Sequence, residues 1–268
     1  MMQHQFFQLP TPYVATAPHT ELLAQPYHIH LWTPPSQHAV PLLLLLDGDW
    51  VHNHVQQFLQ RQPRPLNYAI ATLGFGLARP EARQRRSFEY TPIPPAPHPA
   101  VDPRVPNWLA GGAPALLHTI QTRLLPLLNQ HAAIHPQRLG LFGHSYGGLF
   151  VLWALLQQPE LFQHYISASP SLWWYHPFMQ QHASRLPPLS TRLQLDLLIG
   201  EQEQWRPKPA TPDAPRPAGI PTLGFLQAFL QHLPRSSQLK QQLRLYPEAD
   251  HGAMLGLATE FALTEFMA

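Results

Sequence analysis

Residues 143–147 read Gly-His-Ser-Tyr-Gly, a serine with a glycine two positions to either side. A serine hydroxyl is a weak nucleophile at neutral pH and attacks an acyl carbon only when a base takes its proton. The G-x-S-x-G spacing suits that task. On a sharp turn from strand to helix, the residues two before and two after the serine must be small. The hydroxyl then projects clear of the sheet, and the helix N-terminus faces the negative charge that develops in acyl transfer. At average composition the bare pattern is expected less than about 0.1 times in a chain of this length. The flanks fit as well: RLGLF (138–142) is a short apolar strand pattern, and the segment after Ser145 is an apolar helix pattern, 146–157.

The base must come from 17 histidines. For a serine on such an elbow the chain order is nucleophile, acid, histidine, with the histidine on a loop between the last strand and the last helix. His251, in YPEADHGAM, stands there, and Gly252 beside it permits an irregular loop. The acid should follow the strand ending at Gly200. IGEQEQW offers Glu201 and Glu203, and Asp213 lies further along. Glu203 is the choice here, as the group that would hold the His251 tautomer and stabilise its imidazolium. A Ser–His pair oriented by a carbonyl or water is the alternative. The oxyanion hole needs two backbone N–H groups. Tyr146 supplies one, and the loop Asp47-Gly48-Asp49-Trp50 supplies the other, assigned to Asp49. The pairs His28/His30 and His52/His54 lack the cysteines or H-E-x-x-H of a metal site, so neither metal nor cofactor is expected.

These residues need a scaffold, and the chain alternates strand and helix patterns. Strands are expected at 27–32, 41–48, 67–75, 138–142, 164–171, 192–200 and 242–252. Helices are expected at 51–60, 113–131 (bent by Pro126), 146–157, 224–233 and 253–267. Repeated β-then-α units imply a mostly parallel sheet with helices on both faces, one α/β domain over 1–268, and an antiparallel edge from the first strands. Proline is abundant, 33 residues in 268, and concentrates in 92–106 and 207–221. Neither segment can be helix or strand. Both lie on strand-to-helix connections, at the carboxyl edge of the sheet where ligands bind, and are expected to form a rigid rim or ordinary surface loops.

Composition excludes other classes. The net charge is +2, and no basic stripe accompanies it, so nucleic acid is not an expected partner. There is no cysteine, which removes disulfides and thiol chemistry. LLLLL (42–46) is too short to span a membrane, and MMQHQFFQLPTPY lacks the basic start and apolar core of a signal peptide. A soluble, cytoplasmic protein is expected.

GHSYGGLF (143–150), SASPSLWW (167–174), LLLLLDGD, SFEYTP (87–92) and DHG (250–252) together resemble the esterase D-like family of α/β hydrolases. Within it the chain is most similar to the siderophore esterases that open the trilactone of enterobactin and salmochelin. The likeness extends from about residue 26 to 268. It implies the α/β-hydrolase fold, cleavage of serine-ester bonds in a catecholate siderophore, and iron release, with Ser145 and His251 at the family's catalytic positions. The acid does not carry over, since members vary and some are described as Ser–His dyads. A ferric tris-catecholate carries about three negative charges and flat rings. Arg85 and Arg86 could meet the charge and Trp173 or Trp174 could stack on a ring. Solvated arginines and core tryptophans are the plainer alternatives. General carboxylesterase, S-formylglutathione-type thioesterase, acyltransferase and non-catalytic binding readings share the same residues.

Overall fold

The computed structural model describes residues 1–14, 20–98, 100–205 and 218–266. Strand β1 (Gln3–Leu9) and a short helix α1 (Glu21–Ala24) lead into β2 (Tyr27–Thr33) and β3 (Val40–Leu45). Then come α2 (Gly48–Arg61), β4 (Ala69–Gly74), α3 (Arg79–Glu89) and α4 (Ala113–Thr119). A π-helical turn, Ile120–Leu124, joins α4 to α5 (Leu125–His131). The rest alternates: β5 (Ile134–His144), α6 (Tyr146–Gln157), β6 (His164–Ala168), α7 (Phe178–Ala183), β7 (Leu193–Gly200), α8 (Thr222–His232), β8 (Leu239–Tyr246) and α9 (Ala253–Glu265).

Among the described residues, eight strands form one sheet in the order β1-β2-β4-β3-β5-β6-β7-β8. The pairs β1–β2 and β2–β4 are antiparallel and the rest parallel. The expected antiparallel edge is therefore present, with one strand more than the sequence reading assigned. QHQFFQL alternates with only one buried position, at Leu9, too weak a signal for a strand until β2 is beside it. From β3 the chain winds outward to β4, then returns across β3 to β5 and winds the other way. The carboxyl ends of β3 and β5 thus flank the point where the winding reverses, which is where open α/β sheets bind ligands.

The central strands are apolar on both faces because both are covered. In β3 and the residue after it, Leu42, Leu44 and Leu46 face a core built with α4 and α6, and Leu43 and Leu45 face α2 and α9. Helix α6 is buried from Tyr146 to Leu156, so its all-round apolar sequence is what a central helix requires. The 113–131 helix deviates upstream of Pro126, at the π-turn. That wider turn loosens the backbone where the proline ring would meet a carbonyl and where its missing N–H breaks the ladder. Helix α3 was not anticipated.

Candidate active site

The turn at Ser145 is as tight as its sequence implies. Ser145 sits at φ 61° and ψ −115°, where a non-glycine residue is strained. A Cβ on Gly143 would lie 2.4 Å from the backbone of Gly147, and one on Gly148 would lie 2.7 Å from the Ala168 carbonyl. Glycine is required at both places. Asp47 (φ 60°) and Ser169 (φ 46°) share the left-handed range, so three strand ends at this edge carry strained backbone.

Three side chains stand in a hydrogen-bonded row. Ser145 Oγ is 3.0 Å from His251 Nε2, and His251 Nδ1 is 2.9 Å from Glu203 Oε2. The His251 side chain is 47% exposed and Glu203 only 2%, so the imidazole can meet a substrate while its partner is shielded from water. Glu203 follows β7 on a single 3₁₀ turn, Glu201–Gln204. Its second oxygen accepts from the Gly200 amide at 3.0 Å and from the Ser169 hydroxyl. A carboxylate with all these donors stays put and presents one oxygen to the imidazole. The structure brings Ser145, His251 and Glu203 together. Glu201 makes no such contact, and Asp213 lies outside the described residues.

Several supports were not read from the sequence. Ser171 Oγ lies 3.3 Å from Ser145 Oγ, and its amide donates to the Ser145 carbonyl at 3.1 Å. His144 Nε2 donates to the His251 carbonyl at 3.0 Å. Burial, then the neighbouring His251 and Arg86, push the His144 pKa well below the ordinary histidine value, so it stays a neutral donor that props the histidine loop. Gly200 lets the two catalytic loops touch: a Cβ there would be 2.2 Å from the Ala249 carbonyl oxygen.

The N-termini of α2 and α6 meet at the same edge. A Cβ on Gly147 would lie 3.3 Å from the Asp47 carboxylate. Tyr146 is the first residue of α6 and Asp49 the second of α2, so neither N–H has a carbonyl one helical turn back. The Asp49 carboxylate turns away to accept from the amides of Phe75 (2.6 Å) and Gly76 (2.9 Å), fixing the start of α2 to the end of β4.

The two arginines expected to meet substrate are both buried in ion pairs. Arg85 is fully buried, paired with Glu89 at 2.9 Å, with its guanidinium carbon 4.8 Å from the ring centre of Tyr27 and 4.6 Å from that of Phe75. Arg86 is 7% exposed and grips Asp47 in a fork, at 2.5 and 2.9 Å, while reaching the His144 carbonyl at 3.2 Å. It ties the end of β3 to the nucleophile turn from below. Trp174 is fully buried and belongs to the core. Trp173 is half-buried, with Arg104 over its ring. Of the first proline-rich segment, all but Pro99 is described. It packs over this edge, with Tyr175 Oη donating to the Val101 carbonyl and Asp102 buried beneath it. Residues 207–217 of the second segment lie outside the described residues.

Comparison with known proteins bears on the family and the fold. The family model described as "Putative esterase" matches residues 20–251. The chain belongs to this esterase family. It is 31% identical over 192 residues to the ferri-bacillibactin esterase BesA of Bacillus subtilis, covering 66% of each protein. It is 31% identical over 168 residues to the apo-salmochelin esterase of Escherichia coli, covering 60% of this chain and 52% of that protein. The alignments thus span about half to two thirds of these relatives. Among solved structures, siderophore hydrolase EstB of Aspergillus nidulans superimposes with a TM-score of 0.76 at 21% identity, over 98% of this chain and 93% of that one. The fold is that of the α/β hydrolases. Among the described residues no helix is long and apolar enough to cross a membrane.

Proposed function

We propose that the chain, as one catalytic unit over residues 1–268, is a serine esterase that opens the ester bonds of a catecholate siderophore. The row Ser145–His251–Glu203 carries the reading, in a chain whose relatives are named siderophore esterases. Ser145 Oγ adds to the ester carbonyl carbon while His251 Nε2 takes its proton. The oxyanion of the tetrahedral intermediate is met by the N–H of Tyr146 and by that of Asp49 at the start of α2. As the C–O bond breaks, Nε2 returns the proton to the leaving serine alkoxide. Water then attacks the acyl-enzyme, again losing its proton to Nε2, which passes it to Ser145 Oγ as the acid departs. Glu203 keeps His251 Nδ1 protonated and stabilises the imidazolium of both steps. Cutting the lactone frees the catecholate arms from the ring that holds them around iron, and the ferric complex weakens.

The test is hydrolysis of ferric and iron-free enterobactin, p-nitrophenyl butyrate and S-formylglutathione by wild type, Ser145→Ala and Glu203→Gln. Turnover of the trilactone in preference to the small esters is expected, abolished in Ser145→Ala and reduced by about 10²–10⁴ in kcat in Glu203→Gln. Turnover of small esters alone would remove the siderophore from the reading and leave the serine chemistry. No turnover of any substrate would overturn both.

A further inference from the structure

Arg104 is an exposed cation packed on the side chain that follows the nucleophile in the chain. Arg104, in the proline-rich segment, has its guanidinium carbon 3.9 Å from the ring centre of Trp173 and 5.3 Å from that of Tyr146. Tyr146 is the residue after Ser145. Trp173 lies two residues beyond Ser171, whose hydroxyl is 3.3 Å from the Ser145 hydroxyl. Arg104 Nη2 donates to Tyr146 Oη at 3.0 Å, and that phenol in turn donates to Asp102. Burial raises the phenol's pKa, the Arg104 charge opposes that, and the Asp102 carboxylate reinforces it, so the phenol stays protonated.

The charge of Arg104 is only partly answered. Its Nε is 4.0 Å from Asp102 Oδ1, beyond hydrogen-bond distance. The Asp102 oxygens are already taken by Ser87 Oγ, Tyr146 Oη and the amides of Arg104 and Val105. The arginine side chain is 52% exposed and, among the described residues, its Nη1 has no hydrogen-bond partner. A guanidinium pinned on an indole is flat, permanently charged and already ordered. Such a group stacks on aromatic rings and forks to paired oxygen anions, and its ordering cost is met before the ligand arrives.

We propose that Arg104, held on Trp173, selects substrates whose acyl part carries a negatively charged flat ring, as a catecholate does. It rests on the esterase reading and assigns to Arg104 the role that the sequence had suggested for Arg85 and Arg86. Its test uses two esters with one leaving group, 4-nitrophenyl benzoate and 4-nitrophenyl 3-carboxybenzoate, which differ by one negative charge. Arg104→Gln should lower kcat/KM on the anionic ester about tenfold, mostly through KM, and leave the neutral ester within about twofold. Arg104→Lys, which keeps charge but loses the planar stack, should fall between. An unchanged anionic-to-neutral ratio in Arg104→Gln would overturn the proposal, whether both rates hold or both fall together through damage to Tyr146. A wild type that spares enterobactin while the ratio falls would sink the siderophore substrate and uphold Arg104. A wild type that cleaves neither ester would overturn the esterase reading and this inference with it.

Discussion

Gly200 is where a single methyl group should disable the site without touching any of its side chains. The Cβ of an alanine there would lie 2.2 Å from the Ala249 carbonyl oxygen and 2.8 Å from its carbonyl carbon. Carbon packs against other atoms at about 3.5–4.0 Å, so one backbone must retreat by roughly 1 Å or more. Gly200 is the end of β7, locked in register with β8 at Tyr246, and its amide holds Glu203. The loop carrying Ala249 and His251 is therefore the part that gives. A displacement of about 1 Å at a reacting group costs on the order of 10²-fold in rate. Gly200→Ala is expected to lose about that much in kcat on p-nitrophenyl butyrate, with KM little changed. Denaturant unfolding should still show one cooperative transition, and a fluorophosphonate probe should label Ser145 more slowly than in wild type. Activity within about fivefold of wild type would show that the loop absorbs the methyl group, and the argument from close approach would fail.

Arg86→Met strips a buried carboxylate of its partner, so the variant should lose about 3–5 kcal/mol in denaturant unfolding. The double variant Asp47→Asn/Arg86→Met should recover part of that loss, and a single-variant loss under about 1 kcal/mol would contradict the buried pair. His144 is neutral in the fold because its pKa is depressed, while in the unfolded chain it takes a proton near pH 6.5. Its contribution is present in full above that pH and drains away as pH falls below it, by at most about 1.4 kcal/mol per pH unit. His144→Gln keeps a donor for the His251 carbonyl and removes the proton site. Its stability should decline less steeply than wild type between pH 6.5 and 5, and parallel curves would refute the assignment.

What the sequence revealed, and what it concealed, follows from how each residue is held. Ser145 was legible because an elbow demands glycines at fixed offsets. His251 was legible because chain order and an irregular Asp-His-Gly loop mark the end of the last strand. Glu203 could be favoured but not separated from Glu201, since only the 3₁₀ turn decides which carboxylate faces the imidazole. Helix α3 misled most. RPEARQRRSFE looks like a solvated surface, yet Arg85, Arg86, Ser87 and Glu89 are all buried. Arg85 pairs with Glu89 one helical turn on, but its ring partner Tyr27, and the Asp47 and Trp50 that meet Arg86, come from far along the chain. Pairing of that kind leaves no local pattern. Arg104 was overlooked for the opposite reason, as a single arginine among prolines whose aromatic platform lies some seventy positions away.

Asp102 fastens the proline-rich segment at one buried point, to Ser87 of α3 below and to Tyr146, the first residue of α6, beside it. The segment therefore behaves less like a loop than like a fitting bolted onto a finished machine. Its outer surface can be rewritten so long as the bolt is kept, because Asp102 is the buried side chain that joins it to α3 and α6. Such a chain can change which molecules it admits without relearning how to cut them.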